Sequence, residues 1–284
     1  MGAGLDGLDG LDGLVGAGGV LVLSGAGLST DSGIPDYRGP SSALRRSQPM
    51  TFQEFTRSAS GRRRYWARSH LGWRTVARAR PNAGHAAVAR LQGLGLVGPV
   101  ITQNVDGLHQ AAGSADVVEL HGGLDRVVCL CCGAVSARAE LDARFRTANP
   151  GFAAEVTRVN PDGDADVPDA VLEGFVVLDC LQCGSGPLKP DVVFFGETVP
   201  RDRVARCFEL VDAARALLVL GSSLTVMSGY RFVLHAARRG IPVGIVNRGP
   251  TRGDARADVR VDAPLGEVLP ALAARLTVPE ERPA

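Results

Sequence analysis

The sequence predicts an α/β fold: a Rossmann-like, doubly wound parallel sheet with a helical insertion and a smaller, cysteine-bearing lobe. Three observations lead there. Short continuous apolar runs alternate with longer segments of helical character, as in a parallel sheet covered on both faces. Each apolar run ends in a small or polar cluster (SGAG, TQNVDG, HGG, GSS, NRG), and in open α/β sheets ligands collect outside the carboxyl ends of strands. Two segments break the alternation, and one of them carries two Cys-x-x-Cys pairs.

In chain order, residues 1–17 are a Gly-Leu-Asp repeat with acid and no arginine, expected to be a flexible leader. A transit peptide would be Arg-rich and a secretory signal would begin with positive charge, so a cytoplasmic location is expected. Strands are predicted at Val20–Leu23, Val100–Gln103, Val117–Leu120, Leu217–Leu220 and Val243–Val246. Helices are predicted at Ala83–Gln92, Arg203–Ala214 and Gly229–Arg239. The sheet domain would then comprise residues 18–50, 81–125 and 187–284. A helical insertion at 51–80 and a cysteine module at 126–186 would form the small domain.

Composition narrows the function classes. The formal net charge is +1 and charged residues make up 21%, so no bulk attraction to nucleic acid or anionic membrane is expected. No apolar run reaches the roughly 18 residues of a membrane span. Basic charge is almost entirely arginine, Lys189 being the only lysine.

Cys129-x-x-Cys132 and Cys180-x-x-Cys183 are the strongest local signal. Two such turns can present four thiolates to one tetrahedral zinc and leave no position for water, which makes a structural site. Cys131 is read as a bystander and Cys207, in an apolar helix, as a core thiol. The turn Gly25-Ala26-Gly27-Leu28-Ser29 follows a strand and would let backbone N–H groups approach a pyrophosphate. Thr30 stands where a dehydrogenase fingerprint needs its third glycine, and no ribose-binding acid follows, so that fingerprint fails. His121, directly after a strand, is a candidate general base, with a structural histidine as the alternative. Gln103, Asn104 and Asp106 offer amides and a carboxylate at a strand end, suited to a carboxamide but equally to a turn cap.

Together these runs resemble the sirtuin family across nearly the whole chain after residue 15. The matching runs are Gly25–Ser29, Gly33-Ile34-Pro35-Asp36-Tyr37-Arg38, Thr102-Gln103-Asn104-Val105-Asp106-Gly107-Leu108-His109 and Leu120-His121-Gly122. They continue with the two cysteine pairs, Leu188-Lys189-Pro190-Asp191-Val192-Val193-Phe194-Phe195-Gly196-Glu197, Gly221-Ser222-Ser223 and Val246-Asn247-Arg248-Gly249. Arg64-Tyr65-Trp66-Ala67-Arg68, the long insert with Asn160-Pro161-Asp162-Gly163-Asp164, and Gly229-Tyr230-Arg231-Phe232 look like class II sirtuins. That group includes the mitochondrial sirtuin with ADP-ribosyltransferase and unusual deacylase activities. Tyr37 departs from the phenylalanine of many members but keeps the aromatic face.

The resemblance implies an NAD-dependent protein-lysine deacylase that passes the acyl group to ADP-ribose and releases nicotinamide, with a structural zinc on Cys129, Cys132, Cys180 and Cys183. A protein mono-ADP-ribosyltransferase using the same NAD site is the alternative. By resemblance, NAD would meet Gly25, Ala26, Gly27, Ser29, Asp36, Tyr37, Arg38, Gln103, Asn104 and Asp106. Further along the chain it would meet Gly221, Ser222, Ser223, Asn247, Arg248, Gly249 and Leu265. His121, with Asn104, would carry catalysis. Val193, Phe194, Gly196 and Glu197 would pair with an extended acyl-lysine peptide by strand addition. Tyr65 and Arg68, three apart on a helix, would read an acidic acyl group beside its tunnel, the alternative being a solvated basic helix that also carries Arg62, Arg63, Arg64 and Arg74. A monomer acting on acylated proteins, without nucleic acid or membrane, is expected.

Overall fold

The structure is a computed structural model of the chain, and it describes residues 7–37, 49–154, 156, 158–160, 162–168 and 171–277. Helix α1 (Leu8–Gly16) leads into strand β1 (Val20–Ser24), two short 3-10 turns, and helices α2 (Phe52–Arg57), α3 (Ala59–Arg78) and α4 (Ala83–Gly93). Next come β2 (Val97–Thr102), α5 (Leu108–Ala111), β3 (Val117–Glu119), β4 (Gly122–Cys129), β5 (Val135–Ala137) and α6 (Arg138–Ala148). The short pair β6 (Arg158–Val159) and β7 (Ala165–Asp166) precedes β8 (Leu188–Val192) and α7 (Arg201–Ala213). The chain closes with β9 (Ala216–Leu220), α8 (Met227–Arg238), β10 (Val243–Val246), β11 (Val259–Val261) and α9 (Leu265–Arg275).

Six strands form one parallel sheet in the order β11-β10-β9-β1-β2-β3. The expected fold class is therefore found. The continuous apolar runs have a plain cause: successive side chains of a strand point to opposite faces, and here both faces are covered. Val20 and Val22 of β1, with Leu218 and Leu220 of β9, join a core with α1, α4 and α9. Leu21 and Leu23, with Leu217 and Val219, join a second core with α7 and α8. The chain runs outward from β1 to β2 and β3, then returns to β9 on the other side of β1. That reversal places a crevice at the carboxyl ends of β1 and β9.

A third core gathers α3, α6 and strands β4 and β8, with Phe55, Tyr65, Trp66 and Phe145 fully buried. Ser58 caps α3 by accepting the Gly61 N–H at 2.9 Å. Gly72 of α3 is required by close approach, because a Cβ there would lie 2.6 Å from the Gly163 carbonyl oxygen of the β6–β7 turn.

The expectation of a flexible leader is corrected for residues 8–16. They form α1, whose Leu8, Leu11 and Val15 are buried against β11 and α9, and Arg275 of α9 pairs with Asp9 and Asp12 at 2.6 and 2.5 Å. Leucines three apart put one apolar stripe on a helix, and that stripe outweighs the helix cost of the glycines between them. Strand β11, helix α9 and the β5-β4-β8 sheet also lie outside the elements read from the sequence.

Candidate active site

The turns after β1 and β9 interlock by backbone. The Gly25 N–H donates to Leu220 O at 2.9 Å and the Gly27 N–H to Gly221 O at 2.8 Å. A Cβ on Gly25 or Gly27 would come within 2.9 Å of that same Gly221 oxygen, and Gly221 itself has φ of 63°. These glycines are thus required by loop-on-loop packing as well as by any ligand they face. The sequence reading gave them to a pyrophosphate alone.

From this junction a polar network spreads under a cavity of about 1090 Å³. The Asn104 amide donates to Gly25 O at 3.1 Å and to Ser29 Oγ at 3.0 Å, and Ser29 Oγ donates to Asp106 Oδ2 at 2.7 Å. The other oxygen of Asp106 caps the first turn of α5, accepting the Leu108 N–H at 2.9 Å. The turn-cap reading of Asp106 is thus seen directly, while the same carboxylate also lines the cavity. Gln103 Nε2 donates to Ser222 Oγ at 2.8 Å and so ties the β2 end to the β9 end. Beneath lies a buried layer: Ser24 Oγ donates to Thr102 Oγ1 at 2.9 Å, and His109 Nε2 lies 2.8 Å from the same Ser24 oxygen. Burial and the neighbouring His85 hold the His109 pKa down to about 3.

His121 follows β3 and lines the cavity. Its Nδ1 is 3.0 Å from the Gln103 carbonyl oxygen and its Nε2 is 2.8 Å from Ser228 Oγ. Burial lowers its pKa, and the Arg203 and Arg231 guanidiniums push it further down. The imidazole is therefore neutral at neutral pH, the form a general base needs.

Of the expected cofactor residues, Gly25, Ala26, Gly27, Ser29, Asp36, Tyr37, Gln103, Asn104, Asp106, Gly221, Ser222, Ser223, Asn247, Arg248 and Gly249 all line this one cavity. Arg38 lies outside the described residues. Leu265 is a correction: it is buried in the core shared with Leu28 and Leu269 and does not line the cavity. The expected substrate residues Val193, Phe194, Gly196 and Glu197 do line it. Their segment turns after β8, with Glu197 N–H donating to Phe194 O at 3.0 Å and Glu197 Oε2 accepting the Phe194 N–H at 2.8 Å. Buried Lys189 fixes that carboxylate from 3.2 Å.

Tyr65 and Arg68 are the second correction. Neither lines the cavity. Tyr65 is 1% exposed, and Arg68 is engaged by Asp166 at 2.6 Å, Asp164 at 3.2 Å and the Ala165 carbonyl at 2.7 Å. The partners come from the β6–β7 pair, far along the chain, which helix spacing could not reveal. Residues missed by the sequence reading also line the cavity: Asp162, Ser228, Arg231 and Asp262, the last accepting the Gly249 N–H at 2.8 Å. The motif position of Arg231 was a signal for it, whereas Ser228 carried none.

The four cysteine sulfurs of Cys129, Cys132, Cys180 and Cys183 all lie within 4.8 Å of one another. Cys129 Sγ is 3.7 Å from Cys183 Sγ, and Cys132 Sγ is 3.9 Å from Cys180 Sγ. Tetrahedral zinc with bonds of about 2.3 Å requires sulfur separations of about 3.8 Å, so the set fits that ion. Backbone N–H groups of Cys131, Cys132 and Gln182 point at the buried sulfurs, and the Ser185 N–H helps bring the Cys183 thiol down to about 6. Gly186 has no room for a Cβ, which would lie 2.3 Å from Cys129 Sγ. Cys131 stands outside the cluster and Cys207 is buried in the sheet core, both as expected.

A model of the Sir2 family matches residues 25–228 of the chain. NAD-dependent protein deacetylase 1 of Streptomyces coelicolor is 64% identical over 260 residues, spanning 92% of this chain and 87% of that protein. Among solved structures, a Sir2 homologue in complex with ADP-ribose is 29% identical with a TM-score of 0.75, covering 95% of this chain and 96% of that one. A Sir2 enzyme bound to a propionylated peptide is 28% identical with a TM-score of 0.75, covering 94% and 98%.

Proposed function

The chain belongs to the Sir2 family, and from that premise we propose an NAD-dependent protein-lysine deacetylase that transfers the acyl group to ADP-ribose and releases nicotinamide. The observation that carries this is the convergence of the Gly25–Ser29 turn, Gln103–Asp106 and neutral His121 on one cavity. NAD, when bound, supplies a ribose carbon that becomes electrophilic as nicotinamide departs.

The chain's own residues do the rest. Gly25, Ala26 and Gly27, with Ser222 and Ser223, receive the diphosphate. Asn247, held by its amide bonds to Arg248 O at 3.0 Å and Gly249 O at 3.1 Å, serves the adenine ribose. Gln103, Asn104 and Asp106 hold the nicotinamide end, with Asp36 and Tyr37 beside it. His121 would accept the proton of a ribose hydroxyl at Nε2. The turn at 193–197 receives the acyl-lysine peptide. Zinc on the four cysteines staples the small lobe and takes no part in the chemistry.

The class II resemblance rests on Arg64-Tyr65-Trp66-Ala67-Arg68, Gly229-Tyr230-Arg231-Phe232 and the long insert, whose Asp162 reaches the cavity wall. Apart from the leader, the expected domain boundaries, a monomeric state and a cytoplasmic location without nucleic-acid partners belong to the same proposal. Among the described residues no helix is long and apolar enough to cross a membrane.

The test is an acetyl-lysine peptide with NAD, analysed by mass. Equal amounts of free lysine peptide, nicotinamide and acetyl-ADP-ribose are expected. A mass gain of ADP-ribose on the peptide would replace deacetylation by transfer. The variant His121→Ala should still bind NAD but lose about 10²–10⁴ in turnover, the usual cost of removing a general base. Turnover within threefold of the parent (roughly, against that range) would remove His121 from the mechanism.

A further inference from the structure

His121 is held at both ring nitrogens by groups of the chain itself. The Gln103 carbonyl oxygen, 3.0 Å from Nδ1, can only accept, so Nδ1 carries the proton. Nε2 then holds the lone pair. Ser228 Oγ, 2.8 Å from Nε2, must therefore be the donor in this pair. The nitrogen that the mechanism needs as base already has a hydroxyl aimed at it.

Ser228 stands in the first turn of α8, is 8% exposed and lines the same cavity as His121. Its neighbourhood is rigid. A Cβ on Gly229 would lie 2.6 Å from Gln103 Oε1, so the start of α8 sits tightly against the residue whose carbonyl holds Nδ1. Gln103 thus fixes one edge of the imidazole and touches the helix turn that fixes the other. The charged groups facing His121 are Arg203 from α7 and Arg231 from α8, both cations, whose guanidiniums donate to the Leu120 and Met227 carbonyls rather than to the ring.

We propose that Ser228 is a positioning residue for His121: with the Gln103 carbonyl it locks the ring plane and the Nδ1–H tautomer, keeping the Nε2 lone pair directed into the cavity. When the ribose hydroxyl arrives, the Ser228 hydroxyl rotates aside and Nε2 accepts the substrate proton instead. An imidazole anchored at Nδ1 alone can pivot about that bond, and base catalysis falls off steeply with misorientation. The inference rests on the deacetylase reading and adds to it a residue acting through His121.

The two parts of the reaction separate this role from a structural one. Departure of nicotinamide and its return, followed as exchange of labelled nicotinamide into NAD in the presence of acetyl peptide, precede the proton transfer to His121. Net deacetylation requires that transfer. The experiment measures both rates in the parent, Ser228→Ala, Ser228→Cys and Ser228→Thr. Alanine lacks the hydroxyl, and the thiol is a weak donor. Both variants should lose about ten- to a hundredfold in kcat for deacetylation while exchange and KM for NAD stay within about threefold, a part of the full general-base contribution. Threonine keeps the hydroxyl and should stay well above alanine. A loss of less than about fivefold in both alanine and cysteine, against that expected range, would overturn the proposal. So would exchange and deacetylation falling together, or threonine no better than alanine. A parent without NAD-dependent turnover would overturn the deacetylase reading itself, which the parental reaction reports before any variant is compared.

Discussion

Arg68 donates to Asp166 at 2.6 Å and to the Ala165 carbonyl at 2.7 Å, with Asp164 at 3.2 Å, and its side chain is 17% exposed. Three acceptors leave little of the guanidinium for a substrate carboxylate. Burial raises the pKa of Asp164 well above the ordinary carboxylate range, the neighbouring Asp162 adds to the rise, and Arg68 opposes it. Arg68→Met should therefore act through stability: removing one partner of a mostly buried ion pair costs up to about 3 kcal/mol. Turnover of acetyl, succinyl and glutaryl lysine should fall by one common factor. A selective loss on the two acidic substrates would restore Arg68 as a reader of the acyl group. The same residue marks a limit of sequence reading. Spacing on α3 correctly put Tyr65 and Arg68 on a helix, but a helix has several faces, and the acids that claim this one come from β7 and the turn before it. His121, Gly25 and Asp106 were legible because each sits at a strand end, where chain direction alone aims residues at the crevice. Ser228 was not, since its partner lies 107 positions away and a serine at a helix start reads as a cap.

At the scale of elements, the cysteine pairs were the most legible feature and α1 the least. A Cys-x-x-Cys turn is a local shape, so two of them specify a tetrahedral site whatever lies between. Here the intervening segment builds α6 and the β6–β7 pair, yet the sulfurs still meet with separations of 3.7 and 3.9 Å. Cys129 ends β4, the central strand, and the Cys180 N–H donates to Gly186 O beside β8, so a bound metal would tie the end of the three-stranded sheet to the Cys180–Cys183 turn. Structural metal binding is coupled to folding. Cys183→Ser should lower the zinc content below one per chain, as read by elemental analysis, and lower the melting temperature. Full zinc with unchanged melting would contradict the four-cysteine site. By contrast α1 hides behind its composition: glycine at every third place argues for disorder, and only the docking of Leu8, Leu11 and Val15 onto a distant helix and strand decides for helix.

The whole molecule keeps four of its histidines neutral by enclosing them. Burial is the leading cause of the lowered pKa at His70, His85, His109 and His121, and it takes His109 to about 3. These residues lie in the layer under the cavity, in the cavity wall and, for His70, against Asp142 in the third core. In the unfolded chain each would titrate near 6.5, so below that pH the unfolded state binds protons that the folded state refuses. Stability is then complete above about pH 6.5 and is lost as pH falls towards the depressed folded values. Asp162 and Asp164, whose pKa values burial raises, take up protons in the folded state and work in the opposite sense as acid increases. For His109 alone the loss between pH 6.5 and 5 is about 2 kcal/mol, from about 1.4 kcal/mol per pH unit. His109→Gln should be less stable than the parent at pH 7.5, having lost the fitted bond to Ser24. Between pH 6.5 and 5 it should lose about 2 kcal/mol less than the parent, because one refused proton has been removed. Denaturant melts at the two pH values measure this difference. Equal losses in parent and variant would mean that His109 takes up its proton in the folded protein, and that the layer beneath the cavity admits charge and water.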